Sequence, residues 1–222
     1  MFKFMDNGLI LGLSRHGENA FILSVFTENH GRYMGLLRTK SPPLIGSLGY
    51  FNWQARLEEH LGTFKVETKE SLSFPYLDDK KRLACLSCLY YLLNATLPER
   101  EAYSNFYFEV LSFIRNLSND NFLADYVRIE LRLLSVLGFG LDLSKCALGG
   151  DASCLAYVSP KTGKAVSFEK GKPYQQKLLT LPPFLWKDVS ATEEDIQNGL
   201  ILTGFFLNRH LTKLPVLRST LV

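Results

Sequence analysis

Between Gly8 and Phe74 the hydrophobic residues come in short runs broken at turn-forming residues, with little helical repeat. That pattern predicts strands. The first runs from Gly8 to Ser14 and the second from Asn19 to Thr27. Glu28-Asn29-His30-Gly31 reads as a turn, and Arg32 to Thr39 is the third strand. Ser41-Pro42-Pro43 is too proline-rich to continue it. Tyr50 to Glu58 and Thr63 to Phe74 supply the fourth and fifth. Beyond Asp78 the period lengthens and the chain reads as helical.

Five short antiparallel strands suit a small closed barrel, for which the OB-fold is the leading candidate. An SH3-like barrel would give nearly the same string, and periodicity alone does not separate the two. The whole reads as α+β: an N-terminal five-stranded barrel over residues 1–78, then an α-helical domain over 79–222 with a small β-hairpin insertion.

In the second part, Asp78 or Asp79 can cap a helix that runs to about Leu97 and ends before Pro98. An aromatic-rich helix follows, from about Ala102 to Leu117, and Ser118 to Asn121 makes a turn. The next helix, from about Asp125 to Leu137, organises the rest. On a helical wheel Asp125, Arg128, Arg132 and Ser135 share one narrow arc, and Leu131, Leu133, Leu134 and their apolar neighbours fill the remainder. Glu130 falls within the apolar arc, where a bare carboxylate costs several kcal/mol, roughly, so a partner is expected. Gly138-Phe139-Gly140 ends the helix, with a glycine in the left-handed cap conformation. Leu155–Val158 and Ala165–Phe168 flank Ser159-Pro160-Lys161-Thr162-Gly163 as a hairpin. Leu181-Pro182-Pro183 breaks the chain, and Ser190 with Glu193 forms a capping-box pattern for a last helix, about Ala191 to Leu211.

Composition narrows the class. Hydrophobic residues at 46% against 21% charged describe a globular chain rather than a disordered one. No apolar run approaches the roughly 20 residues needed to span a bilayer, and MFKFMDNG lacks a signal-peptide core. Four cysteines without a disulfide-like framework fit a reducing cytoplasm. The net charge of +3 is too small to announce nucleic-acid binding, but the charge is polarised along the barrel. Residues 1–41 carry Lys3, Arg15, Arg32, Arg38 and Lys40 against three carboxylates, and residues 42–78 reverse that balance with Glu58, Glu59, Glu67, Glu70 and Asp78 against three cations.

The candidate chemistry is sparse. Cys85 and Cys88 form C-x-x-C, but inside the leucine-rich run LACLSCLYYLL they read as core residues. His16, His30, His60 and His210 are scattered, and no G-x-S-x-G, P-loop or H-E-x-x-H occurs, so the chain is not read as an enzyme and no cofactor is expected. The basic third strand is the best lead. Arg32, Arg38 and Lys40 share parity and would face one way, with Arg15 near enough to join them. Such a track binds phosphates, with Tyr33, Phe51 or Trp53 as possible stacking surfaces. A solvated barrel face is the plain alternative.

The stretch IELRLLSVLGFGLDLSKC followed by YVSPKTGKAVS resembles the bacterial RecO family of DNA repair proteins. GLILGLSRHGENAFILSVFTENHGRYMGLLRTK, LPERE, LLTLPPFL and GLILTGFFLNRHL extend the resemblance over nearly the whole chain. It implies a cytoplasmic, nucleoid-associated recombination mediator that binds single- and double-stranded DNA and promotes strand annealing. It also implies contacts with RecR and with the C-terminal tail of single-stranded DNA-binding protein while RecA is loaded at gaps. By the same resemblance, Arg15, Arg32, Arg38 and Lys40 would contact DNA, and Leu131, Arg132 and Phe139 would receive the acidic, apolar tail. An adaptor with little DNA affinity is the other reading.

Two departures stand out. The family's basic run after the third strand is reduced to Leu37-Arg38-Thr39-Lys40. Many RecO proteins also carry a four-cysteine zinc site, where this chain keeps Cys146 but has Gly149 in the C-x-x-C position and an isolated Cys154. Tetrahedral zinc needs four N or S ligands, so a metal-free, degenerate zinc-site hairpin is expected at about 146–168.

Overall fold

The computed structural model describes residues 1–57, 59–211 and 213–221. Packing divides the chain into two compact units, Met1–Arg115 and Asn116–Val222.

The first unit is built on β1 (Phe2–Arg15), β2 (Ala20–Thr27), β3 (Gly31–Arg38), β4 (Ser47–Ala55) and β5 (Thr63–Ser71). They close in the order β1-β2-β3-β5-β4. β1 pairs antiparallel with both β2 and β4, and β3 meets β5 in parallel at Leu36 and Thr63. This Greek-key closure is the OB-fold, which decides the alternative left open by the periodicity. β4 ends at Ala55, and Glu58, where the sequence pattern placed its end, lies outside the described residues.

The first strand is about twice the length that the sequence suggests, because it serves two neighbours in turn. Phe2 to Leu9 run along β4, and Gly8 to Arg15 run along β2. Gly8 stands at the crossover, paired with Thr27 on one side and Gly49 on the other. A Cβ there would lie 2.6 Å from Val25 Cγ1, so only glycine permits the close approach.

Alternation on β3 is regular: Gly31, Tyr33, Gly35 and Leu37 are buried, and the residues between them are partly or fully exposed. The barrel interior gathers Ile10, Leu23, Val25, Tyr33, Leu37, Phe51, Trp53 and Phe64. Trp53 Nε1 donates to the carbonyls of Met34 (3.0 Å) and Leu61 (3.1 Å), satisfying its one polar atom. The tight β2–β3 turn is fastened to β1 by Asp6, which is buried. Its carboxylate accepts from Asn29 N at 2.8 Å and from Asn29 Nδ2 at 3.0 Å, and pairs with His30 Nδ1 at 2.7 Å.

Two helices complete this unit. α1 (Lys80–Thr96) starts at Asp79, whose side chain accepts from Arg82 N, and stops at Leu97, which is extended as a residue before proline must be. Cys85 and Cys88 are fully buried in it. α2 spans Ser104–Arg115.

The second unit centres on α3 (Phe122–Val136). Gly138, at φ 85°, closes it: Phe139 N reaches Leu134 O at 2.8 Å and Gly138 N reaches Ser135 O at 3.1 Å. Those two bonds are the Schellman pattern. β6 (Leu155–Val158) and β7 (Ala165–Ser167) form the expected hairpin, and β8 (Leu179–Thr180) adds a third strand beside β6. A single turn, α4 (Phe168–Gly171), follows β7, and α5 spans Glu193–His210.

The capping box of α5 lies two residues later than Ser190 and Glu193. Thr192 is the N-cap, and Asp195 Oδ2 accepts from Thr192 N at 3.0 Å while Asp195 N donates to Thr192 Oγ1 at 3.1 Å. Both pairs fit the same spacing, and only the hydrogen bonds distinguish them.

Glu130 has the partner that its position demands. Its carboxylate, 1% exposed, accepts from Arg218 Nε at 2.8 Å and from Arg218 Nη2 at 2.7 Å. Thr203 Oγ1 also donates to it. Arg218 Nη2 reaches the Leu200 carbonyl at 2.7 Å, and Gly204 leaves room for the guanidinium, since a Cβ there would lie 2.8 Å from Nη1. A residue of the C-terminal segment thus locks between α3 and α5. Among the described residues, no helix is long and apolar enough to cross a membrane.

Candidate nucleic-acid and partner surfaces

The four cations proposed for phosphate contact do not form one track. Arg32 and Arg38 do share the outer face of β3, paired across to Phe26 and Ala20. Arg32, however, is committed: Nε donates to Leu97 O at 2.8 Å, Nη1 to Ser24 Oγ at 3.4 Å, and Nη2 to Glu99 Oε1 at 3.3 Å. Only 12% of its side chain is exposed. Arg100 N donates to Arg32 O, and the Arg100 guanidinium lies 5.7 Å from the Tyr33 ring centroid. The LPERE segment is therefore the strap that binds the α1–α2 connection to β3, and Arg32 is its anchor rather than a free phosphate ligand.

Arg38 and Lys40 are exposed at the far end of the strand. Thr39 N donates to Asn19 O at 3.0 Å, prolonging the β2–β3 pairing, and Thr39 Oγ1 accepts from Ser41 N at 3.1 Å. This short turn fixes the backbone that carries both cations. Arg15 is also exposed and shares this end of the barrel, since it pairs with Phe21 while Arg38 pairs with Ala20. Phe21 has the inward parity of Leu23 and Val25, so Arg15 and Arg38 leave opposite faces of the sheet at its rim. Arg15 Nε donates to Gly17 O at 3.2 Å.

The aromatic residues considered for stacking are core. Tyr33 is 8% exposed, Phe51 0% and Trp53 1%, and Tyr33 and Trp53 meet edge to face at 4.9 Å. Tyr33, at the other parity on β3, points away from the face that carries Arg38.

In the second unit, Leu131 and Arg132 line a groove of about 310 Å³ with Arg128, Ser135, Leu141, Leu143 and Leu185. Four leucines and two arginines thus share its lining. Arg128 is oriented by Asp125 Oδ1 at 2.8 Å and by the Phe184 carbonyl at 3.3 Å. Phe139 is not part of the groove lining; it stacks on His210, centroids 4.7 Å apart. The three further leucines were not legible, because they come from loops after the helix whose course periodicity does not fix.

Comparison with known proteins places the chain. The family model described as "Recombination protein O C terminal" matches residues 77–219. A DNA repair protein RecO of Rickettsia canadensis is 42% identical over 93% of this chain and 88% of its own length. The RecO proteins of Cereibacter sphaeroides and Rhodospirillum rubrum are 40% and 38% identical, over 96% and 95% of this chain and 92% and 89% of theirs. The chain belongs to the RecO family. Its curated relatives carry the name of a DNA repair protein.

The four-cysteine set that the resemblance raised is not assembled among the described residues. Cys146 is buried, and Sγ accepts from Ser167 N at 3.2 Å and lies 3.5 Å from Ser167 Oγ. Burial pushes the thiol up, but hydrogen bonds from the Ser167 hydroxyl and from the amides of Ser167, Leu148 and Gly150 outweigh it and bring its pKa down to about 7. Gly149, at φ 68°, keeps the left-handed turn of a C-x-x-C knuckle without supplying its second sulfur. Cys154 is exposed and sits beside Asp151 and Ser153. Among the described residues, no group of three or more His, Cys, Asp or Glu side chains could hold a metal. This RecO hairpin therefore does not fit a tetrahedral zinc ion.

Proposed function

We propose that this RecO-family chain is a non-enzymatic mediator of recombinational DNA repair that binds single- and double-stranded DNA through the rim of its barrel and promotes annealing. Residues 1–78 form the DNA-binding part and residues 79–222 the helical part of this reading. The supporting observation is the exposed pair Arg38 and Lys40, held on a fixed turn at the end of β3, with Arg15 at the same end of the barrel. Arg32 is left out because its guanidinium is spent on Leu97, Ser24 and Glu99. The chemistry is non-covalent: cations displace counterions from phosphates, and two held strands meet more often. The setting is the cytoplasm, in association with the nucleoid.

The partners are RecR and single-stranded DNA-binding protein, with RecA loaded at gaps as the outcome. The acidic, apolar tail of the latter fits the groove of Arg128, Leu131 and Arg132, where apolar anchors meet leucine and carboxylates meet the basic edge. A second reading, an adaptor with little DNA affinity, is favoured by the commitment of Arg32 and the burial of the barrel aromatics.

Binding and annealing of labelled complementary oligonucleotides by the parent and by Arg38→Ala/Lys40→Ala separate the two readings. The mediator reading predicts weaker binding of every sequence, slower annealing and a salt slope flatter by roughly one to two units. Unchanged binding and annealing would move the DNA site away from the barrel rim.

A further inference from the structure

The second unit carries a concentration of positive charge that the proposed function does not use. Residues 142–188 contain seven lysines against four carboxylates, a local net of +3 that equals the net charge of the whole chain. The same segment carries exposed rings. Phe168 is 50% exposed and Tyr174 57%. Tyr157 lies nearly parallel to Phe168, centroids 6.3 Å apart and planes 15° off.

The local backbone explains why these rings are presented rather than packed away. β7 ends at Ser167, and the helical turn that begins at Phe168 lifts its ring off the sheet. Gly171 lies under Tyr157, where a Cβ would come within 2.4 Å of Cδ2, so the tyrosine ring rests directly on backbone. Between β6 and the turn over Lys172–Lys177 a shallow cleft of about 600 Å³ opens, with Tyr157, Phe168, Gln175, Gln176 and Thr180 on its walls. The Lys172 ammonium lies 5.8 Å from the Phe168 ring centroid, and Lys177 closes the same turn. Among the described residues, neither lysine is in an ion pair.

We propose that this surface is a second nucleic-acid site, specific for single strands. Unpaired bases stack on Phe168 and Tyr174, their edges meet the amides of Gln175 and Gln176 and the Thr180 hydroxyl, and phosphates meet Lys172 and Lys177. A paired base has both faces covered by its neighbours in the duplex, so ring stacking selects the single strand. Charge complementarity favours a polyanion, and the exposed rings favour one that carries bases. This site does not depend on the barrel reading: it lies on other residues, and it stands or falls on stacking rather than on charge alone.

The test uses the full chain in four forms: the parent, Arg38→Ala/Lys40→Ala, Phe168→Ala/Tyr174→Ala, and all four changes together. Affinity for a labelled oligothymidylate and for a duplex is measured by fluorescence anisotropy against salt. The ring variant is expected to lose roughly tenfold or more for the single strand and little for the duplex. The same loss is expected in the barrel background, and Phe168→Trp should restore it. Lys172→Gln/Lys177→Gln, which removes charge without removing a ring, should flatten the single-strand salt slope by about one unit. Unchanged single-strand affinity in the ring variant overturns the proposal, whatever the barrel variant does. So does an equal loss for duplex and single strand. Loss of binding to an acidic, apolar peptide with oligonucleotide binding intact would also overturn it, in favour of a protein partner. A barrel variant that binds like the parent would overturn the barrel reading alone.

Discussion

Arg218 is buried against Glu130, and removing it tests how far that pair holds the second unit together. In Arg218→Met the hydrocarbon part of the side chain is kept and the guanidinium is lost. The Glu130 carboxylate, 1% exposed, then keeps Thr203 Oγ1 as a donor but loses both charged contacts, at 2.7 and 2.8 Å. Leaving one charge of a buried pair without its partner costs about 3–5 kcal/mol. For a chain of this size that corresponds to a fall of roughly 6–20 °C in melting temperature. The double change Glu130→Gln/Arg218→Met removes the stranded charge, so it should recover about half or more of the loss. Circular dichroism, by heat and by urea, measures all three proteins, with Glu130→Gln completing the cycle. If Arg218→Met lies within about 1 kcal/mol of the parent, or if the two changes simply add, the pair does not hold α3 and α5 together.

Arg32→Ala should destabilise the first unit by about 1–3 kcal/mol, because Leu97 O and Glu99 lose their donor, and its DNA affinity should change less than that of Arg38→Ala/Lys40→Ala; urea melts alongside anisotropy would show the reverse if Arg32 served the phosphates. Ser167→Ala should raise the Cys146 pKa from about 7, as followed by thiolate absorbance. Because the folded thiol titrates below an unfolded one, its contribution to stability is present above the unfolded value and is lost as pH falls through about 7; a Cys146→Ala chain that keeps the parent's pH dependence over that window would contradict this. Arg132→Glu should weaken binding of the single-stranded DNA-binding protein tail without unfolding the protein, and unchanged anisotropy of a labelled tail peptide would place that partner elsewhere.

How much of this was legible in the sequence depended on the distance over which each feature is decided. The strict alternation of β3, the Asp79 cap and the Gly138 stop are local, and the local pattern found them. Glu130 is instructive: the helical wheel established that it was buried, but its partner lies 88 residues away in a segment without periodicity. The bonds of Arg32 were hidden for a similar reason. Its parity was right, yet the carbonyl and carboxylate that hold it belong to Leu97 and Glu99, more than 60 residues on. The length of β1 was hidden because Gly8 interrupts the apolar run where the strand changes neighbours. In the groove, Leu131 and Arg132 followed from the wheel, whereas the leucines opposite them come from irregular chain.

Whether the rim of the barrel neutralises phosphates is read from the salt dependence of oligonucleotide binding. The parent chain should bind at low salt, with log affinity falling linearly against log salt. The slope for duplex should correspond to about two to three neutralised phosphates, and Arg38→Ala/Lys40→Ala should flatten it. An affinity that stays flat with salt, or a parent slope that the double variant reproduces, would contradict it.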